Sequence, residues 1–334
     1  MIEITNYTFA VFLCFLAMFC WGSWQNTRNM GKVEWRFELF YWDFIAGILL
    51  ISLVAALTLG SLGSAGRTFF ADLKQADISS IVNAMIGGTI WNIGTLLLTA
   101  AIAMAGMSVA FPTGAGLAWI LGIFLNYIIS PPNKGKDLFL FIGVLVIIAA
   151  VFFSAFAYKK LASQNKKAPL KGIMIAFLGG IAIAFFYGFV VRSLDGNLVS
   201  GGKGSLTPYT AVFYFSLGAF LSTFIFNPIM MKKPIEGRSL NFGDYKSITG
   251  KMHLLGILGG VIWGIGNIAS FMAVKAASPA ISYGLSNAAP VVAATWGIFV
   301  WKEFKKAPKD TNVLLLLMYL CYLAGLVFIT YSNA

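Results

Sequence analysis

The sequence predicts an all-α integral membrane fold: ten transmembrane helices built as two inverted five-helix repeats. Three observations predict it. Of 334 residues, 59% are hydrophobic and only 11% are charged, against roughly 25% charged in ordinary soluble domains. A soluble fold would need more polar surface to cover its core, so the excess apolar surface must face lipid. The apolar residues also gather in runs near the roughly 20 residues that span a bilayer. Finally, GGTIWNIG at 87–94 recurs as GGVIWGIG at 259–266, with six identities in eight positions.

The first run covers about 7–24. Glu3 stands where a secretory signal would be basic, so this run is expected to be a retained helix. The second covers about 38–59, and the third and fourth, about 79–104 and 108–129, are joined by a few residues around Gly106. The fifth covers about 138–158 and ends the first repeat, residues 1–158. A basic linker, KKLASQNKKAPLK at 159–171, precedes the second repeat at 172–334. There the runs are about 172–191, 208–230, 252–276, 279–301 and 312–331, the third and fourth again tightly joined, by AASP. Cys14, Cys20 and Cys321 fall inside apolar runs without metal-ligand spacing and read as packing residues.

The repeat offset is 172 residues, and it also carries Ala101 onto Ala273, Ala105 onto Ala277 and Phe111 onto Tyr283. More faintly, FCWG at 19–22 echoes FFYG at 185–188. Five helices is an odd number, so the halves must cross the membrane in opposite senses, a common transporter construction with the solute site between halves. The alternative is chance likeness between Gly-rich apolar helices. Loops after odd-numbered helices hold 17 of the 24 lysines and arginines. Positive loops stay cytoplasmic, so both termini are expected outside. The net charge of +12 is thereby explained by topology rather than by nucleic-acid binding.

Two stretches, FCWGSWQNTRNMGKVEWRFELFYWDF at 19–44 and WNIGTLLLTAAIAMAGMSVAFPTGAG at 91–116, resemble bacterial relatives of the ureide permeases. These belong to the drug/metabolite transporter superfamily, beside the ten-helix glucose/ribose and rhamnose permeases. The resemblance implies a drug/metabolite transporter-like fold and a proton-coupled uptake permease of a bacterial cytoplasmic (inner) membrane. Plant ureide permeases carry a Walker-like sequence between helices five and six. The corresponding loop here is short and holds no glycine before Lys171, and GGKGS at 201–205 has Gly204 where a phosphate loop needs Ser or Thr. A sugar or nucleobase solute therefore stays open beside a ureide.

Asp43 is the deepest acid, seven residues beyond Arg36 and so about 10 Å along a helix. An acid there costs roughly 2.5–3.5 kcal/mol on insertion scales. It reads either as a proton-coupling carboxylate or as a structural acid paired with Arg36 or another loop cation. Glu38 invites the same two readings nearer the interface. Helices three and eight carry matched sets, Trp91, Asn92 and Thr95 against Trp263, Asn267 and Ser270. Paired donors and acceptors beside an aromatic ring suit a neutral polar solute, and neighbouring glycines would admit the ligand. The competing reading is hydrogen-bonded glue between helices. Helices four and nine are interrupted, at Pro112–Thr113–Gly114 and at Ser286–Asn287–Pro290, either as binding or gating segments or as simple kinks. Phe111 and Tyr283 flank these breaks, and Trp21 and Tyr187 add matched stacking surfaces. Trp24, Trp35 and Trp301 are expected in an interfacial belt, His253 at the interface, and Arg192 and Lys275 snorkelling to water.

No nucleophile–base set, metal cluster or cofactor motif stands out, so no enzymatic activity is expected. The sequence reading is secondary active uptake of a small neutral solute (sugar, ureide or nucleobase). Its rivals are an exporter of drugs or metabolites and a non-transporting scaffold or receptor.

Overall fold

In a computed structural model, the structure describes residues 1–31, 35–105, 110, 112–129, 137–161, 170–194, 204–234 and 237–332. The helices are α1 (Tyr7–Ser23), α2 (Phe37–Leu57), α3 (Ile78–Ala105), α4 (Leu117–Ile129), α5 (Asp137–Leu161), α6 (Leu170–Ser193), α7 (Pro208–Lys232), α8 (Gly250–Ala277), α9 (Pro279–Ser286), α10 (Ala289–Thr295) and α11 (Thr311–Tyr331). Short helices at Asn26–Asn29, Phe69–Gln75 and Phe242–Lys246 lie between them.

Among the described residues, eight helices are long and apolar enough to cross a membrane, and no β-strand is formed. Lipid offers no hydrogen bonds, so a spanning backbone must satisfy itself within a helix. The other two expected spans are broken into shorter pieces. A π-helical turn at Pro112–Gly116 precedes α4, and α9 stops at Ser286 before Pro290 opens α10 in its first turn. Proline lacks the amide that would continue the helical ladder, so the chain restarts there.

The surface is inverted relative to a soluble protein. Phe12, Leu145, Phe152, Leu258 and Val327 are exposed, whereas Asn92, Asn126, Asn227 and Asn267 are fully buried. The principal helix pairs join the two halves of the chain: α3 with α6 and α7, α8 with α1 and α2, α4 with α6 and α9, α5 with α11. The halves therefore interdigitate.

The repeated glycines explain how closely. A Cβ on Gly260 would fall 2.0 Å from the Phe44 carbonyl oxygen, and one on Gly47 would fall 2.2 Å from that of Ile257, so α2 and α8 touch backbone to backbone. Gly88, 172 residues before Gly260, makes the equivalent approach to Phe215 (1.9 Å), and Gly218 approaches Met85 (2.2 Å), where α3 crosses α7. These glycines admit a neighbouring helix where the sequence reading had them admit a ligand.

Candidate functional site

A cavity of about 170 Å³ is lined by residues of α1, α3, α4, α6, α8 and α10. Trp21, Trp91, Thr95, Trp263 and Asn287 line it, as the sequence anticipated, joined by Trp24, Gln25 and Thr99, which it did not. The lining along α1 and α3 runs toward their C-terminal ends, with exposed Gln25 at the rim. The cavity thus opens at the end of the bundle where α1 and α3 finish.

Its aromatic wall is a continuous run of touching rings. The repeat-related Trp91 and Trp263 rings lie 4.2 Å apart between centroids, and Trp21 stacks on Trp263 at 5.6 Å. The Trp21 indole N–H donates to the Trp263 carbonyl at 3.2 Å. Trp24, expected at the membrane interface, is buried and stacks on Phe44 at 4.3 Å. Trp35 is buried too, whereas Trp301 is exposed and donates to Asn26 at 2.6 Å. Their depth follows from packing partners on α2, which composition does not reveal.

The remaining candidates divide by what they touch. Asn92 accepts from the Tyr41 hydroxyl at 2.7 Å and donates to Ser222 Oγ at 2.8 Å, which joins α2, α3 and α7. Tyr283 donates to the Ala118 carbonyl at 2.8 Å, while Trp119 donates to that of Gly284 at 2.8 Å, a reciprocal clasp between α4 and α9. Tyr187 and Ser270 bond to each other, 3.0 Å apart, outside the cavity lining. Asn267 and Ser286 are fully buried. Thr113 sits on the π-helical turn, and Phe111 lies outside the described residues.

The two acids separate clearly. Glu38 is held by Arg36, at 2.6 Å to Oε1 and 3.2 Å to Oε2. That leaves Asp43 with other partners: Tyr245 donates to Oδ1 at 2.6 Å, and His253 Nδ1 lies 2.8 Å from Oδ2. Asp43 also packs against Gly256, where a Cβ would fall 2.5 Å from its own. It therefore sits in the crossing of α2 and α8, away from the cavity lining. His253, read from sequence as interfacial, is its partner from the first turn of α8. Lys275, read as snorkelling, pairs with Glu3 at 2.5 Å, while the Arg192 guanidinium lies 5.9 Å from the Phe189 ring centre.

Thr99 was legible in principle, since Trp91, Thr95 and Thr99 recur every four residues on one helix face. Trp24 likewise lies three residues beyond Trp21. Tyr245 and His253 carry no such signal.

Long apolar helices around a cavity of aromatic and hydroxyl-bearing side chains define a multi-pass membrane protein. The chain belongs to the ureide permease family, whose model matches residues 40–171 and 164–332. It is 26% identical over 381 aligned residues to Ureide permease 1 of Arabidopsis thaliana, covering 97% of each chain. It is also 26% identical over 275 residues to a "Putative sugar uptake protein" of Listeria innocua, covering 81% of this chain and 86% of that one. One solved crystal structure shares the fold at a TM-score of 0.61 and 14% identity, covering 96% of this chain and 98% of the other. The chain is a membrane transporter of small solutes.

Proposed function

We propose that this protein is a secondary active uptake transporter of a small neutral polar solute, a sugar, ureide or nucleobase, working by alternating access. The observation that carries the reading is the cavity, walled by repeat-related Trp91 and Trp263 and opening where α1 and α3 end. The basic end of α5, with Lys159 and Lys160 in its last turn, belongs to that side. The cavity therefore faces the cytoplasm, and both termini lie outside a bacterial cytoplasmic membrane.

The architecture is ten spans in two inverted repeats, with the π-turn plus α4, and α9 plus α10, as the fourth and ninth. Support comes from the helix pairing, which is two-fold: α3 packs on α6 as α8 packs on α1, and α3 on α7 as α8 on α2. The matched crossings Gly88–Gly218 and Gly260–Gly47 agree with it. Rocking about these crossings would expose the cavity alternately to the two sides.

Asp43 supplies the coupling. Its carboxylate ties α2 to α8 and to the Phe242–Lys246 helix through His253 and Tyr245. A proton taken up there weakens the charge-assisted bonds and frees α8 to move against α2. Among the described residues lining the cavity there is no carboxylate, which favours a neutral solute over the export of a cation. Flux in liposomes separates either transporter from a scaffold or receptor.

The test is reconstitution into proteoliposomes with an internal pH dye, using glucose, uracil and allantoin as probes. Wild type should acidify the lumen as a probe enters, and Asp43→Asn should remove that coupling. Undiminished proton-coupled uptake in Asp43→Asn refutes the role of Asp43.

A further inference from the structure

Beyond the cavity wall lies a second group of buried polar side chains. The Tyr187 hydroxyl is 3.0 Å from both Ser270 Oγ and Ser282 Oγ, and Ser282 donates to the Ser270 carbonyl at 2.7 Å. All three are fully buried, and they join α6, α8 and α9 at one hydroxyl hub.

Asn267 comes three residues before Ser270 and four after Trp263. Ser286 comes four after Ser282 and one before Asn287. Residues three and four apart share a helix face, and α8 and α9 run in opposite directions across the turn at Ser278. Asn267 and Ser286 thus stand at one level, between the hub and the cavity residues Trp263 and Asn287. Both are fully buried. Among the described residues, neither the Asn267 amide nitrogen nor its oxygen has a hydrogen-bond partner, and Ser286 Oγ has only the buried Cys14 thiol of α1 beside it. Buried polar atoms are ordinarily paired, and here both carboxamide atoms of Asn267 are not, at the level of a Ser286 hydroxyl held by no more than a thiol. The repeat offset also places Asn267 on Thr95, which lines the cavity.

We propose that Asn267 and Ser286 form a second solute subsite, closed from the cavity in this state by the Trp263 ring, and that Asn267 selects the solute. The proposal rests on the transport reading above. A carboxamide presents a donor and an acceptor side by side in one plane. Its complement is a solute edge with an adjacent acceptor and donor, such as an N–H beside a carbonyl or a pair of neighbouring hydroxyls. When Trp263 leaves its packing against Trp21 and Trp91, the solute passes behind it and meets these atoms. A solute lacking either partner leaves a buried group unpaired and is rejected.

Asn267→Leu tests this, because leucine keeps the branched shape and removes both unpaired atoms, a change that is neutral or stabilising for folding. Ser286→Ala does the same for the hydroxyl. Each variant is melted in detergent and reconstituted with glucose, uracil and allantoin. Expected is a melting midpoint equal to or above wild type, with KM raised roughly tenfold or more for whichever probe wild type carries. If uracil is carried, 1,3-dimethyluracil, which keeps the carbonyls but lacks the N–H groups, should be rejected by wild type and tolerated by Asn267→Leu. An unchanged KM in both variants overturns the subsite and leaves the transport reading standing. A lowered midpoint in both assigns the pair to packing and overturns it too. No flux of any probe by wild type overturns the sugar, ureide or nucleobase reading and the subsite with it.

Discussion

Gly260→Ala puts a methyl group into the tightest crossing of α2 and α8. The added Cβ would stand 2.0 Å from the Phe44 carbonyl oxygen and 2.8 Å from the Ile48 nitrogen. Ordinary contact begins near 3.4 Å, so the helices must part by about 1.4 Å along that line. Both obstacles are backbone, and no side chain can rotate aside. Overpacking of this kind costs about 1–3 kcal/mol, and a gap of only about 0.5–1 Å forfeits a quarter to a half of each contact it opens. The expected loss is therefore at the upper end, about 3 kcal/mol, or a fall in Tm of about 4 °C for a chain of this length. Gly250→Ala is the internal control. Nothing lies within 4 Å of its added Cβ, and alanine gains up to about 1 kcal/mol of helix propensity there. Differential scanning fluorimetry of both variants in one detergent measures the difference, and Gly88→Ala should behave like Gly260→Ala. If Gly260→Ala melts with Gly250→Ala, the backbone-contact account of the repeated glycines is wrong.

Two further changes probe the ends of the bundle. Asp72 is fully buried and accepts from Arg67 Nε at 2.8 Å, Gln75 Nε2 at 2.9 Å and the Thr207 amide at 2.7 Å; Asp72→Ala should cost about 2–3 kcal/mol, read as a lower midpoint and folded yield. Partial desolvation pushes the carboxyl of Glu303, itself on the solvent-exposed surface, above its ordinary range, so its charged form is mildly disfavoured in the folded state. That penalty is absent below the unfolded pKa, grows as pH rises toward the folded value, and is complete above it. Glu303→Gln should therefore raise Tm near neutral pH and leave it unchanged at about pH 4; the opposite order of the two shifts would refute the burial argument.

The sequence by itself determined the membrane class, the order of the apolar helices, the interruptions at Pro112 and Pro290, and the family. The reason is local. Lipid requires long apolar segments with internal hydrogen bonding. Proline removes an amide from the ladder, which interrupts it at Pro112 and Pro290 although α7 runs on through Pro228. Which polar residues face the cavity was decided only by tertiary structure. Asn92 and Thr95 are three residues apart on α3, yet Asn92 bonds Tyr41 and Ser222 while Thr95 lines the cavity. Helices that are apolar nearly all round carry no amphipathic face to read, so their rotation stays hidden until neighbours fix it. The same holds for Asp43, whose partner His253 lies 210 residues away, and for Trp24, which packing on Phe44 draws inward. Spacing along a helix is written in the chain. The crossing of two helices is set by contact between them, here by glycines that let α2 meet α8 and α3 meet α7 backbone to backbone.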